Sequence, residues 1–293
     1  MVSQVVEGAP FIVQATGRFS PDDVTVVWED IRRRTNPEIE AAIEKTWRDK
    51  QDEATRFNRL LYNSVLGRLS GAAIDDQRLV LRLGETDYRD FVGTNLFNAG
   101  LVRVYGEPFL ANALGTSATI VTSDGYILYG RRNDRVIYHA GYLHTFGGTL
   151  EPADRLPDRT YDLFGAIRRE LHEETHLKDE EIVDLVCTGL VRDVDTLQPE
   201  LLFDAHVGLT RNEVLSRFDP DTDEEHTAIE ACHDLPEAIV PFIQRSQPVV
   251  PVAVAAMMLH GAANWGRDWY ENTSYVLFGE LPPLETGRRP HPL

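Results

Sequence analysis

Apolar positions along this chain repeat with two periods, near 3.6 residues in some stretches and 2 in others, and the switches between them mark its elements. Phe11 to Ala15 reads as a strand. Ser20-Pro21 and Asn36-Pro37 each set a capping side chain before a proline, an arrangement that opens helices. The second of these helices carries Ile39, Ile43 and Trp47 on one stripe. Leu60 to Leu69 and Arg78 to Leu83 are strand-like, and Gly71 to Gln77 between them predicts a hairpin closed by a loop. Thr86 to Asn95, TDYRDFVGTN, mixes polar and aromatic residues too densely for a core element. Residues 1–105 thus read as a small α+β unit.

A second unit, residues 106–285, follows. Ser117 to Thr122, the Ser123-Asp124-Gly125 turn and Tyr126 to Arg131 predict a β-hairpin. Tyr142 to Phe146 is a short strand leading into Gly147-Gly148 and then a helix, with Thr160 or Asp158 as N-cap and Phe164, Ile167 and Leu171 on its apolar side. Glu181 to Val194 and Leu201 to Leu209 follow as strands. In the latter, Leu201, Phe203, Ala205, Val207 and Leu209 alternate with Asp204, His206, Gly208 and Thr210, which predicts one buried and one exposed face. An acidic loop from Asp219 to Glu225, a segment from Ile239 to Ser246 and an apolar helix from Val252 to about Ala263 complete the unit. Residues 286–293 read as a loose tail. No internal repeat is visible.

The chemistry gathers on the helix after Gly147-Gly148. Glu170, Glu173 and Glu174 fall at i, i+3 and i+4, so three carboxylates share one turn. Each opposes the ionisation of the others unless a cation is present. A hard divalent ion such as Mg2+, or Mn2+ in its place, takes oxygen ligands and removes that repulsion. The glycine pair lets a backbone carbonyl, that of Gly147, approach the same ion.

Charge narrows the partners. The net charge is −18, and Lys45, Lys50 and Lys178 are the only lysines in 293 residues. Such a surface repels polyanions, which argues against nucleic acid or an anionic membrane as a general partner. A small anionic substrate remains compatible where a metal and a few arginines gather. Cys187 and Cys232 sit in no context that demands a disulfide, Met1 to Pro10 lacks the pattern of a signal peptide, and the apolar run Val252 to Leu259 is too short to span a bilayer. A cytoplasmic location is the expectation; oligomeric state is not legible.

The segment from Gly147 to Leu177 resembles the Nudix box, Gx5Ex7REUxEExGU with U aliphatic. Arg169-Glu170-Leu171-His172-Glu173-Glu174-Thr175-His176-Leu177 matches its second half except that His176 replaces glycine. Asp154 stands at the first Glu position, and fourteen residues, Arg155 to Arg168, separate it from Arg169 where the usual box has seven. An expanded box is found in one branch, the UDP-glucose and UDP-galactose diphosphatases. Tyr88-Arg89-Asp90-Phe91 and Gly93-Thr94-Asn95 are similar to that branch's segment before the Nudix fold.

The resemblance implies an α/β fold, a Nudix α/β/α sandwich with a central mixed sheet preceded by a small α+β extension. It implies Mg2+-dependent cleavage of UDP-sugars to UMP and a sugar 1-phosphate. Carried over by residue, Glu170, Glu173 and Glu174 hold the metal with the Gly147 carbonyl, and Arg169 steadies the box through a salt bridge. Glu225 is the candidate for a further ligand or base. Arg131 or Arg132, with Arg135 nearby, would offset phosphate charge. Tyr88, Arg89, Thr94 and Asn95 would read the nucleotide, with a structural turn as the competing reading of the same segment.

Two further alternatives follow from the box alone: a Nudix hydrolase of another nucleoside diphosphate derivative such as ADP-ribose, and a nucleotide-sugar-binding protein without turnover. His172-Glu173-Glu174-Thr175-His176 is also a literal HExxH. With Phe164, Ile167 and Leu171 buried, Glu170 and Glu174 border the buried face while both histidines point away, which disfavours a zincin.

Overall fold

A computed structural model describes residues 8–57, 61–220 and 225–283. In chain order the strands are β1 (Phe11–Phe19), β2 (Val24–Trp28), β3 (Val65–Asp75), β4 (Arg78–Asp87), β5 (Gly115–Val121), β6 (Tyr126–Arg132), β7 (Leu143–His144), β8 (Phe146–Thr149), β9 (Ile182–Asp193), β10 (Pro199–Val207) and β11 (His226–His233). The main sheet runs β1-β9-β10-β5-β6-β11, with β7 paired to β6 and β8 to β5. It is mixed, because β10 and β5 are parallel while β1–β9, β9–β10, β5–β6 and β6–β11 are antiparallel.

Helices cover both faces of this sheet. The helix Leu163–Thr175 packs Leu163, Ala166, Ile167 and Leu171 against Ala118, Ile120, Leu201, Phe203 and Ala205. On the opposite face, the helix Pro251–Trp265 packs against Val121, Ile127, Val191 and Leu202. This corrects the reading of β10 as half-exposed. Asp204 is 1% exposed because the second helix lies over it, and His260 on that helix binds its carboxylate. A strand sandwiched between two helical layers must bury its polar positions too.

The described residues before Gly106 share a core with the rest of the described chain. β1 pairs with β9 at the sheet edge, and β2, β4 and β3 form a three-stranded sheet whose Leu69, Leu79, Leu81 and Leu83 join the cluster containing Leu163 and Leu171. The boundary expected at residue 105 is therefore crossed by one continuous core.

Several local expectations change for identifiable reasons. Ser20-Pro21 opens only a short 3-10 turn, Pro21–Asp23, because Val24, Val26 and Trp28 immediately resume a strand against the second sheet. The stretch Gly71–Asp75 continues β3 rather than looping, and Asp76 and Gln77 alone make the turn, both at positive φ. Thr86–Asn95 is a buried element after all: helical turns span residues 88–96, and Thr94 and Asn95 are fully buried. Asp162, not Thr160 or Asp158, caps the acidic helix by accepting from Gly165 N at 2.8 Å. A helix at Arg267–Phe278 was not expected. The strand start at Leu60, most of the Asp219–Glu225 loop and the 286–293 tail lie outside the described residues. No helix among the described residues is long and apolar enough to cross a membrane.

Candidate functional site

The expanded stretch of the acidic box closes on itself. Asp162 N donates to Asp154 O at 2.9 Å and Arg155 bridges Tyr161, so residues 155–161 leave and return at one point. Arg155 stacks over Trp28, 4.6 Å from its ring centre, and pairs with Glu85. The extra loop is thus spent on docking to the three-stranded sheet, and Asp154 is delivered to the acidic helix as though the insertion were absent. There it meets Arg169 in a bidentate ion pair, Nε–Oδ1 and Nη2–Oδ2 both 3.0 Å. Arg169 also reaches Glu170 at 2.9 Å and Glu173 at 3.1 Å.

Glu174 is buried and accepts a hydrogen bond from Gly147 N at 2.9 Å. Burial, with the charges of Glu225 and Glu170 adding to it, lifts its carboxyl well above the usual range. Burial also pushes Glu170 up to about 7 against the pull of Arg169, and Glu173 and Glu225 push the same way. Both glycines are dictated by this packing. Gly147 has φ +151°, where a Cβ would lie 2.1 Å from Thr116 O, and a Cβ on Gly148 would lie 2.5 Å from Glu170 Oε1.

Glu170, Glu174 and Glu225 therefore act on one another electrostatically, whereas Glu173 is exposed and turned to Arg169. This departs from the expectation of three equivalent box ligands. Among the described residues, no three His, Cys, Asp or Glu side chains are grouped closely enough to hold a metal ion between them. The donor set still fits a hard divalent cation: all-oxygen ligands whose charge the fold buries and leaves under-compensated. Glu170 and Glu174, with the Gly147 carbonyl, are the residues that could hold it, and Glu225 could serve as a further ligand or as the base.

A linked effect on stability follows. Glu170 binds its proton more tightly folded than unfolded, so the native state carries more protons between about pH 4.5 and 7 and stability falls as pH rises through that window. In metal-free buffer, unfolding free energy should be higher at pH 5 than at pH 7.5 by on the order of 2 kcal/mol from this group, a slope the Glu170→Gln variant should lose. Urea melts at the two pH values check this; an unchanged slope in the variant contradicts it.

His176 stands at the glycine position of the box because that position ends the helix in the left-handed region, at φ +56°. His172 Nδ1 lies 3.1 Å from Leu177 O, and both histidines are exposed, so the HExxH pattern forms no ligand pair.

Beside the box lies a cleft of about 280 Å3. Of the residues expected to bind substrate, Tyr88 and Arg132 line it, with Gly147, Gly148 and Glu225. Arg132 carries a buried Nε without a hydrogen-bond partner. Its charge acts on Glu174. Arg131 points elsewhere: it binds Glu230, Ser246 O at 2.8 Å and the carbonyls of Gly141 and Pro248 at 3.1 Å each. Its side chain alternates to the opposite side of β6 from that of Arg132.

The YRDFVGTN segment is mostly a clasp. Arg89 pairs with Glu44 on the helix Pro37–Arg56 at 2.8 Å. Thr94 Oγ1 donates to Asp90 O at 2.7 Å and accepts from Ala111 N at 3.0 Å. Asn95 Oδ1 accepts from Asn112 N at 2.8 Å and its Nδ2 donates to Thr196 O at 3.0 Å. Its amide is thus engaged at both ends, far from a free bidentate edge. Replacing Asn95 with Ala should cost roughly 1–3 kcal/mol of stability by orphaning two buried backbone groups. Thermal melting and steady-state kinetics would separate this from recognition, which would instead raise KM at constant stability.

The cleft also contains residues that the sequence reading did not place at the substrate site: Tyr138, His139, His144, Asp193, Gln198 and Glu200. Glu200 sits at the start of β10, and a buried acid on a strand covered on both faces is the signal that would have marked it.

No family model matches the chain. It is 26% identical over 280 residues to uridine diphosphate glucose pyrophosphatase NUDT22 of Mus musculus, a match covering 87% of this chain and 84% of that protein. It is 27% identical over 166 residues to the Bos taurus protein of the same name, covering 50% of this chain and 57% of that one. The match to Nudix hydrolase 9 of Arabidopsis thaliana is 28% over 225 residues, covering 63% and 69%. Among solved structures, a NUDIX hydrolase from Nitrosomonas europaea gives a TM-score of 0.35 at 19% identity, over 60% of this chain and 96% of that one.

Proposed function

We propose that this chain, a member of the Nudix superfamily that resembles the UDP-glucose pyrophosphatases, is an enzyme that hydrolyses the diphosphate bond of UDP-sugars to UMP and a sugar 1-phosphate. The observation that carries the reading is the convergence of Glu170, Glu174 and Glu225 beside Arg132, at the mouth of a cleft floored by Gly147-Gly148. Mg2+, the divalent ion proposed for this site, with Mn2+ as substitute, would neutralise diphosphate charge and raise the acidity of the attacking water.

The protein's own part is positioning and proton handling, since a phosphoryl transfer asks for little covalent chemistry from the enzyme. Gly147 N fixes the Glu174 carboxylate, and Asp154 through Arg169 fixes Glu170. Arg132 offsets charge on the phosphate that the carboxylates do not face. Glu225, the most exposed of the three acids, takes the proton as water attacks phosphorus in line and the bridging P–O bond breaks. Tyr88, packed edge-on against Trp47 at 6.3 Å between centroids, offers a fixed ring for uracil to stack on. A cytoplasmic location belongs to the same proposal, in keeping with two free, buried cysteines.

The test is a panel of UDP-glucose, UDP-galactose, ADP-ribose and NADH with Mg2+, ranked by kcat/KM. Selective turnover of the UDP-sugars supports the reading. Preference for ADP-ribose would retain the box chemistry and discard the substrate, and tight UDP-sugar binding without turnover would mark a binding protein.

A further inference from the structure

One end of the cleft is lined by acids that lie outside the box. Glu200 is 6% exposed and lines the cleft with Gln198 and Asp193. Glu200 and Gln198 converge over the same glycine: a Cβ on Gly115 would come within 3.0 Å of Glu200 Oε2 and 3.1 Å of Gln198 Nε2. The buried Ser117 hydroxyl lies against the Glu200 carboxylate and favours its charged form. Asp193 is held rigidly, Oδ1 accepting from Asp195 N at 2.7 Å and Thr196 N at 2.9 Å. Tyr138, braced by the Phe97 ring at 6.2 Å, closes the same end.

We propose that Glu200, with Gln198 beside it and Asp193 behind, reads the hydroxyls of the glycosyl half of the substrate. The inference rests on the UDP-sugar reading above and assigns its sugar subsite. Electrostatics selects the occupant. Two buried carboxyls, charged or protonated, offer a phosphate no counter-charge, so the diphosphate stays with Arg132 and the cation-binding acids, and the group beyond it is neutral. Carboxylate oxygens and an amide lining one end of a cleft offer a ligand both acceptors and donors, and a polyol presents several matching hydroxyls on adjacent carbons. A ring such as Tyr138 suits the C–H face of the same group. Burial also lifts the Glu200 carboxyl to about 7, which lets it meet hydroxyls as acceptor or donor.

A site built to hydrogen-bond a hydroxyl discriminates strongly against analogues lacking it. The test compares kcat/KM for UDP-glucose with that for the methyl ester of UDP, which keeps the uracil and diphosphate and removes the sugar. Glu200→Ala should lower the ratio of the two by about 30-fold, and Glu200→Gln, which keeps one acceptor oxygen, by only about threefold. Gln198→Ala should lower the same ratio and serves as the second variant should Glu200→Ala not fold. Equal losses on both compounds would overturn the proposal, since that pattern belongs to a uracil contact or a structural role. Failure of the unsubstituted protein to act on either compound would instead overturn the UDP-sugar reading beneath it, and this is visible before any substitution is made.

Discussion

Glu174→Gln should abolish turnover while leaving the protein at least as stable as before. The side chain is buried, tied to Gly147 N, and pressed by the charges of Glu225 and Glu170. Removing its charge relieves repulsion in the metal-free fold, and glutamine still offers an oxygen to Gly147 N. It also removes the best-buried of the carboxylates proposed to hold a divalent cation, whose charge stabilisation is worth several kcal/mol, so kcat should fall on the order of 10³-fold. Opposite signs for activity and stability are the mark of a ligand held in place at some cost to the fold. Thermal melting without metal beside steady-state kinetics with Mg2+ reads both; a variant that loses activity and stability together would make Glu174 a structural residue.

His260→Ala should be the most destabilising single change, with no direct effect on the cleft chemistry. The imidazole is fully buried between Asp204, at 2.9 Å from Nδ1, and Asp234, at 2.8 Å from Nε2. Burial alone would lower its pKa, but the two carboxylates outweigh burial and raise it to about 10. The histidine is therefore a cation joining the helix Pro251–Trp265 to the centre of the sheet. Its folded value lies above the unfolded one, so its contribution is complete below about pH 6.5 and is lost as pH rises through 10. Deleting it leaves an unpaired buried carboxylate, a loss of about 3–5 kcal/mol and roughly 10 °C in Tm. Urea denaturation at pH 6 measures it, and a loss under about 1 kcal/mol would contradict the charged triad.

What the sequence made legible was local and periodic. The acidic helix, the hairpin of β5 and β6 and the apolar 251–265 helix each follow from spacing over fewer than twenty residues. The orientation of Glu170 and Glu174 away from the two histidines followed from helical geometry alone. The errors share one cause, which is partnership across the chain. β10 looked half-exposed because the helix that covers Asp204 lies more than fifty residues further on. Asn95 looked like a nucleotide reader because its actual partners, Asn112 and Thr196, are supplied by distant loops. Arg131 and Arg132 were indistinguishable in sequence, and only the pleat of β6, with Glu230 on the neighbouring strand, sends one to a structural pair and the other to the cleft. Glu200 was not legible as a cleft residue for the converse reason: nothing near it in sequence shows that Gly115 leaves room for its carboxylate.

The expanded box shows the same limit in a useful way. Counted along the chain, fourteen residues between Asp154 and Arg169 break the motif; in space, the Asp162 N to Asp154 O hydrogen bond restores it. The Asp154–Arg169 pair then does what the sequence resemblance implied for Arg169, steadying the turn that carries the acids.

The central claim is that this cleft directs water to phosphorus in the diphosphate of a UDP-sugar. Phosphorus NMR of UDP-glucose incubated with the protein and Mg2+ tests it most directly. Equal amounts of UMP and glucose 1-phosphate, appearing as the diphosphate resonances vanish, is the result the account predicts. Intact UDP accompanied by free glucose would place the cut at the glycosidic bond, and unchanged UDP-glucose would deny turnover; either contradicts it.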